Sequence, residues 1–456
     1  MPERRRRPAT AAAATPIAER SPPNVTSPAN PTVVPDKYHV PQRLGDRGRR
    51  RFHVMVKPAG AACNLDCAYC FYLSKQELDG GIGSGRMSDE VLERFVRDYI
   101  GAVTGDEVVF SWQGGEPTLM GLDFFRKAVA LQQQYARPGL RIENDLQTNG
   151  TLLDEEWAAF LKEHRFLVGL SIDGPREIHD RYRVTNRGAP TFDKVYAAAM
   201  LLRRFGVPFN TLTCVNRFNA SRPLDVYRFL RRELGSTYLQ FIPIVEPKGF
   251  EITAPQTWNP ARLPIVGTPQ ARPDHPESVV TEWSVDPDEY GTFLCKVWDE
   301  WLARDYGKVL VNFCETLVVQ HMGMPSQLCI HSEVCGKGVA LEHDGAVYAC
   351  DHYVYPEYRL GHVQDRSLGE MVFSPPQVKF GYAKSEALPA YCRQCEFLKD
   401  CWGECPKNRL LRTPDGEPGL NYLCPGLKRF FAHAVPTAQR LAAQLNSTRA
   451  VGRPRP

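Results

Sequence analysis

The sequence predicts an α/β protein, a partial (βα)6 barrel with parallel strands followed by a smaller cysteine-rich domain. Three observations predict it. Between residues 53 and 244, six apolar stretches that read as strands alternate with amphipathic stretches that read as helices, the pattern of βαβ units. Four strand ends carry CNLDCAYC, GGEP, QTNG and SIDGP, and in parallel barrels the chemistry gathers at the C-terminal ends of the strands. Finally, three of the fourteen cysteines fall in the first of these loops, and eight crowd between residues 329 and 424.

The elements follow in order. HVMVKP (53–58) reads as a buried strand leading into the first cysteine loop. Ser88 can cap a helix with Asp89 and Glu90 in its first turn. The alternation continues through strand 107–113, helix 121–136, strand 141–147, helix 154–164 and strand 166–172. Helix 191–205, strand 207–215, helix 221–234 and strand 237–244 complete it. Residues 246–282 are Pro-rich with few apolar pairs, which suggests an insertion over the barrel mouth. An amphipathic helix resumes at 286–304, and the cysteine-rich domain begins at residue 312. The organisation expected is a tail at 1–51, a barrel at 52–245, insertion and linker helix at 246–311, the cysteine-rich domain at 312–444 and a short tail at 445–456.

With 456 residues, 43% of them hydrophobic, the chain can bury a large core. No apolar run approaches the roughly 20 residues that span a bilayer, and the N-terminus lacks the apolar core of a secretory signal. A cytoplasmic protein is expected, in which metal or redox chemistry suits the cysteines better than disulfides. The formal charge of +4 is uneven: residues 1–51 hold eleven Lys/Arg against four Asp/Glu, which leaves the remainder at −3. The basic character therefore belongs to a Pro/Ala/Arg-rich leader that reads as solvated and disordered, and neither a nucleic-acid nor a membrane partner is expected.

Cys63, Cys67 and Cys70 supply three thiolates in C-x3-C-x2-C spacing, one short of the four that close a cubane iron–sulfur cluster. Structural zinc is the competing use of such spacing. The two glycines of GGEP let backbone approach a ligand closely, Asn149 and Gly150 fit a plain turn equally well, and Arg183 is suited to bidentate carboxylate pairing or to a solvated salt bridge. The late cysteines, Cys329, Cys335, Cys350, Cys392, Cys395, Cys401, Cys405 and Cys424, suffice for two further complete clusters, with two zinc sites as the alternative. Cys214, Cys295 and Cys314 read as buried small apolar residues.

The C-x3-C-x2-C loop directly after a first strand, with Tyr69 before its third cysteine, resembles the radical S-adenosylmethionine (SAM) signature. The run C-x2-C-x5-C-x3-C at 392–405, followed by Cys424, resembles the SPASM domain. The strings CNLDCAYCFY, WQGGEPTL, SIDGP followed by HDRYRV, LQFIP, GAVYACDHYV, LGHV and NYLCPG look like anaerobic sulfatase-maturating enzymes over residues 52–444, the insertion excepted. The resemblance implies a TIM-type partial (βα)6 radical SAM barrel with a SPASM auxiliary-cluster domain. It implies SAM and three [4Fe–4S] clusters: one on Cys63, Cys67 and Cys70, one on Cys329, Cys335, Cys350 and Cys405, and an outer one on Cys392, Cys395, Cys401 and Cys424. SAM would be contacted by Tyr72, Gly114, Gly115, Glu116, Ser171, Arg183 and a residue near Val245. A 5′-deoxyadenosyl radical would then oxidise a Cys or Ser of an unfolded or nascent sulfatase, in a C/S-x-P-x-R motif, to Cα-formylglycine. Asp351 would be the catalytic base, and a ferredoxin or flavodoxin-type protein the electron donor. His352 stands where the family carries an aromatic. Two other functions are open: a radical SAM/SPASM maturase installing a thioether or crosslink in a ribosomally made peptide, and a non-catalytic iron–sulfur electron carrier. Three cubanes on eleven cysteines predict about twelve irons per anoxically purified chain; saturation at four would eliminate the auxiliary pair.

Overall fold

The computed structural model describes residues 52–72, 75 and 85–451; the leader expected at 1–51 lies outside them. Six parallel strands stand side by side in chain order: β1 (His53–Lys57), β2 (Glu107–Trp112), β3 (Arg141–Thr148), β4 (Leu167–Ser171), β5 (Phe209–Val215) and β6 (Tyr238–Pro243). Helices α1 (Asp89–Ala102), α2 (Leu122–Tyr135), α3 (Glu155–Glu163), α4 (Arg176–Tyr182), α5 (Phe192–Phe205) and α6 (Pro223–Arg228) connect them. The caps form as the sequence suggests. Ser88 accepts from the Val91 N–H, and Asp154 accepts from Trp157 at 2.9 Å, each satisfying an otherwise orphaned first-turn donor.

Three features depart from the sequence reading. Helix α4 takes in Arg176–Tyr182, between strand 166–172 and helix 191–205, where no helix was expected because its polar surface carries no apolar period; buried His179 and Ile178 anchor it instead. The helix expected at 221–234 starts at Pro223, and residues Phe229–Glu233 coil as a π-helix. No tail begins at 445, since the last helix runs through that residue.

The sheet does not stop at six strands. After helix α7 (Pro287–Arg304), strand β7 (Leu310–Val311) pairs in parallel with β6. Helix α8 (Asn312–His321) follows, and then β8 (Gly338–Glu342) pairs in parallel with β1 across five residues, from His53 opposite Gly338 to Lys57 opposite Glu342. Strands β9 (Ala346–Tyr348) and β10 (Arg359–His362) extend that edge antiparallel, giving ten strands in all. The linker strand β7 and the cysteine-rich strands β8–β10 thus extend opposite edges of the six-stranded unit. Short helices α9 (Leu368–Val372), α10 (Pro375–Glu386), α11 (Ala390–Arg393) and α12 (Leu398–Cys401) carry the chain to the hairpin β11 (Leu411–Arg412) and β12 (Pro418–Leu420) and to the last helix, α13 (Cys424–Val451).

Two apolar cores hold this frame. One is an aromatic cluster around Phe95, Tyr99, Phe110, Trp112, Phe125 and Trp157, between the sheet and the helices of its N-terminal half. The other joins α7, α8 and α13 to the C-terminal half through Trp298, Trp301, Phe313 and Phe430. Segment 246–282 is largely irregular, as its composition suggests, and is tied to the cysteine-rich half: the Tyr355 hydroxyl donates to the Phe250 carbonyl at 2.7 Å, and Tyr358 donates to Pro255 at 3.0 Å.

Helices α7 and α13 meet backbone to backbone. A Cβ on Gly426 would lie 1.9 Å from the Pro287 carbonyl oxygen, and one on Gly291 would lie 2.6 Å from the Gly426 Cα. Gly426 follows Cys424 by two residues, so spreading these helices displaces that thiol. Gly426→Ala should lower folding stability by about 1–3 kcal/mol and reduce bound iron to about eight per chain, as measured by thermal denaturation and iron analysis.

Candidate functional site

Loops at the C-terminal ends of β1–β6 and the cysteine-rich half enclose one cavity of about 410 Å3. Its wall includes Cys63, Cys67, Cys70, Tyr72, Gly114, Gly115, Ser171, Arg183, Cys329, Asp351 and Cys405. Residues separated by almost 350 positions therefore face one space, as the strand-end argument anticipated.

The cysteine loop is shaped by its neighbours. Gly114 has φ +126°, and a Cβ on Gly115 would lie 2.0 Å from the Ala62 carbonyl oxygen. Only glycine lets β2 end this close to the loop, where the Gly115 and Glu116 N–H groups donate to Gly60 and Ala62 at 2.9 and 2.8 Å. The Leu65 N–H donates to the Cys63 sulfur at 3.4 Å and Asn149 Nδ2 at 3.8 Å. Burial pushes the Cys63 thiol up to about 11, and these two donors pull it back. Deprotonation must then accompany metal binding.

Glu116 does not reach the cavity. It is fully buried, and its oxygens accept from the Thr118 N–H and hydroxyl, the Thr148 hydroxyl and the Asn149 N–H, at 2.6–3.0 Å. Its carboxylate clamps the ends of β2 and β3, leaving the neighbouring glycine backbone to face a ligand. Val245 is likewise buried, its carbonyl accepting from Lys407 at 2.7 Å, while Ile244 and Glu246 face the cavity. Ser171 accepts from Gln147 at 3.0 Å. Arg183 faces the cavity but is already paired, its Nε 3.1 Å from Asp173. Burial works against its charge, but Asp173 together with Tyr69, Cys214 and Cys67 outweighs burial. Tyr69 also donates to Asp173. Cys214, expected to be an inert core residue, lines the cavity with its sulfur 3.7 Å from Arg183 Nη2.

The late cysteines sort into two groups. Cys392, Cys395, Cys401 and Cys424 line a second cavity. Burial raises the Cys401 thiol to about 12, with Glu404 and then Cys392 adding to it, and raises Cys424 further, with Cys401 and Cys392 adding to that. Opposition between thiols, after burial, likewise links Cys350 with Cys405 and Cys329, and Cys335 with Cys329. The outer four thus share one cavity wall, and all-thiolate sets of this kind suit iron–sulfur clusters.

Asp351 lies 2.5 Å from Lys57 Nζ, at the join of β1 and β8. Burial alone would raise its pKa; Lys57, His352 and Lys75 together outweigh burial and hold it below the usual carboxylate range. Lys57 is 2% exposed and lies 4.4 Å from the centre of the Tyr72 ring, whose hydroxyl donates to Glu342. Lys57 and Glu342 were missed in the sequence. The available signal was a single lysine ending an otherwise apolar strand. His352 packs at a tilt against Phe71, with ring centres 5.0 Å apart. No helix among the described residues is long and apolar enough to cross a membrane.

A model of the radical SAM superfamily matches residues 58–230, and a model of an iron–sulfur cluster-binding domain, SPASM, matches residues 329–396. The chain is similar to a serine-type anaerobic sulfatase-maturating enzyme of Bacteroides thetaiotaomicron, 43% identical over 398 residues covering 87% of this chain and 93% of that enzyme. A cysteine-type anaerobic sulfatase-maturating enzyme of Clostridium perfringens is 35% identical over 387 residues, covering 84% and 96%. Among solved structures, native anSMEcpe with bound AdoMet and Cp18Cys peptide aligns with a TM-score of 0.72 at 34% identity, covering 86% of this chain and 99% of that one. Streptococcus suis SuiB bound to precursor peptide SuiA shares the fold, with a TM-score of 0.54 at 14% identity.

Burial raises the Glu342 pKa to about 7 in the folded chain, against about 4.3 for an unfolded glutamate. A raised folded value means that stability is full below the unfolded value and is lost as pH climbs towards 7. Glu342→Gln should therefore flatten the fall in denaturation midpoint between about pH 4.5 and 7; an unchanged pH profile would show that Glu342 is ionised throughout.

Proposed function

The chain belongs to the anaerobic sulfatase-maturating enzymes, and from that membership we propose that it oxidises a Cys or Ser side chain of a client sulfatase to Cα-formylglycine. The observation that carries the proposal is the single cavity that joins the Cys63–Cys67–Cys70 loop to a charged Asp351 and to Cys329 and Cys405. When bound, SAM and the reduced cluster on the first three cysteines supply the radical that takes a hydrogen atom from the client Cβ, and the auxiliary clusters accept the electron released.

The chain's own residues do the rest. Glycines 114 and 115 present backbone at the cavity wall, where it can accept a cationic amino group. Arg183, with Asp173 behind it, offers its remaining N–H groups to a carboxylate. Asp351 takes the proton from the client thiol or hydroxyl. It is suited to this because Lys57 keeps it ionised, and an ionised carboxylate within hydrogen-bond reach of the reacting group is what a general base requires. The oxidised side chain is then an aldehyde from serine, or from cysteine a thioaldehyde that water converts to the same aldehyde with release of hydrogen sulfide. The client enters as an extended or unfolded segment carrying C/S-x-P-x-R, and a reduced ferredoxin or flavodoxin-type protein supplies electrons.

The test is anoxic incubation with SAM, dithionite and peptides carrying C-x-P-x-R or S-x-P-x-R, with mass spectrometry of the peptide. Conversion of neither peptide, while 5′-deoxyadenosine still forms, would refute the proposal. Asp351→Asn should keep 5′-deoxyadenosine formation and lower aldehyde yield by about 100-fold or more; an undiminished yield would remove Asp351 as the base.

A further inference from the structure

Deep in the cysteine-rich half, one buried cation lies beside segments that carry thiols of both late sets. Arg409 is 7% exposed. It follows Cys405 by four residues, at the end of the turn Pro406–Asn408, and its N–H donates to the Pro406 carbonyl at 3.2 Å. Its Nη2 donates to the Lys384 carbonyl at 2.6 Å. The guanidinium packs against Gly403, a wall residue of the outer thiol cavity: a Cβ there would lie 3.0 Å from Nη2. Nε and Nη1 are buried without a hydrogen-bond partner among the described residues. A buried guanidinium with donors unspent is costly unless a partner of opposite charge completes it.

The other cations nearby serve one set each. Lys384 Nζ donates to the carbonyls of Cys329, Ile330 and Ser332, on the inner side. Lys428, beside the outer thiols, donates to the Tyr391 hydroxyl at 3.2 Å. Arg409 alone of the three is tied to both sides by its contacts: the Lys384 carbonyl that accepts from it belongs to the residue whose ammonium holds the Cys329 segment, and Gly403 beside it belongs to the outer wall. A four-thiolate cubane is a net anion in either oxidation state used here, and its potential depends on nearby charge and on hydrogen bonds to its sulfurs.

We propose that Arg409 is a shared positioning residue for the two auxiliary clusters, its unspent Nε and Nη1 donors directed at the sulfur of both, so that it sets both reduction potentials. This rests on the assignment of two clusters to these eight cysteines. A cation that hydrogen-bonds a cluster favours its reduced, more negative form, so removal should lower both potentials.

The experiment is a redox titration of the full-length, anoxically reconstituted enzyme without SAM or peptide, followed by electron paramagnetic resonance, with iron quantified in parallel. Arg409→Gln should shift the reduction equilibrium of both auxiliary clusters about tenfold, or about 59 mV each for one electron. Arg409→Lys keeps the charge but has no fork, so it should hold at most one cluster at its parental potential and leave the other lowered. Iron near full occupancy with both potentials unmoved in both variants overturns the proposal, and so does an Arg409→Gln shift confined to one cluster. If Arg409→Gln loses iron, Arg409→Lys decides: a lowered potential in at least one cluster supports the role, and two parental potentials reject it. Parent enzyme that holds no auxiliary iron would instead refute the two-cluster assignment.

Discussion

Strand β8 lying parallel to β1 is the constraint on which the rest depends. Five residue pairs set this register, and a slip of one residue would turn every side chain of β8 to the opposite face. In this register Lys57 stands beside Glu342, and the turn after β9 brings Asp351 to within 2.5 Å of Lys57. The cysteine loop leaves β1 immediately after that lysine. One strand pairing therefore joins a loop near residue 63 to a carboxylate near residue 350 and makes a single site of two distant segments.

The site is built on buried charge. Lys57 with Asp351, Arg183 with Asp173, and Lys407 with Glu246 are all ion pairs at or near the cavity wall. Breaking such a pair leaves an uncompensated charge in a poorly solvated place. These pairs hold side chains in position before any ligand enters, which is the condition for electrostatic effects to act without reorganisation at the reacting atoms. Glu116 follows the same logic in a neutral setting, with each of its oxygens already accepting hydrogen bonds.

The late cysteines show how metal sites and fold reinforce one another. In the proposed ligation the inner set takes thiols from Cys329 to Cys405 and the outer set from Cys392 to Cys424, so the two would overlap along the chain. Closing either set ties loops between α8 and α13 that have little core of their own. Helix α13 then returns against α7 through the Gly291–Gly426 contact. Cluster assembly and the docking of this helix are thereby parts of one folding event.

By itself the sequence determined the strand–helix alternation, the helix caps, the two cysteine groups and their chemistry. These are local: a periodicity, a capping side chain and a thiol spacing each act within a few residues. Helix α4 escaped this reading because buried contacts to distant residues stabilise it, not an apolar stripe of its own. Only the tertiary structure decided that β7 and β8 extend the sheet at both edges, that Glu116 points away from the cavity, and that Lys57 is the partner of Asp351. Each of these depends on strand register and on which charges share a desolvated space, and both are set by pairings across hundreds of residues that leave no periodic trace in the chain.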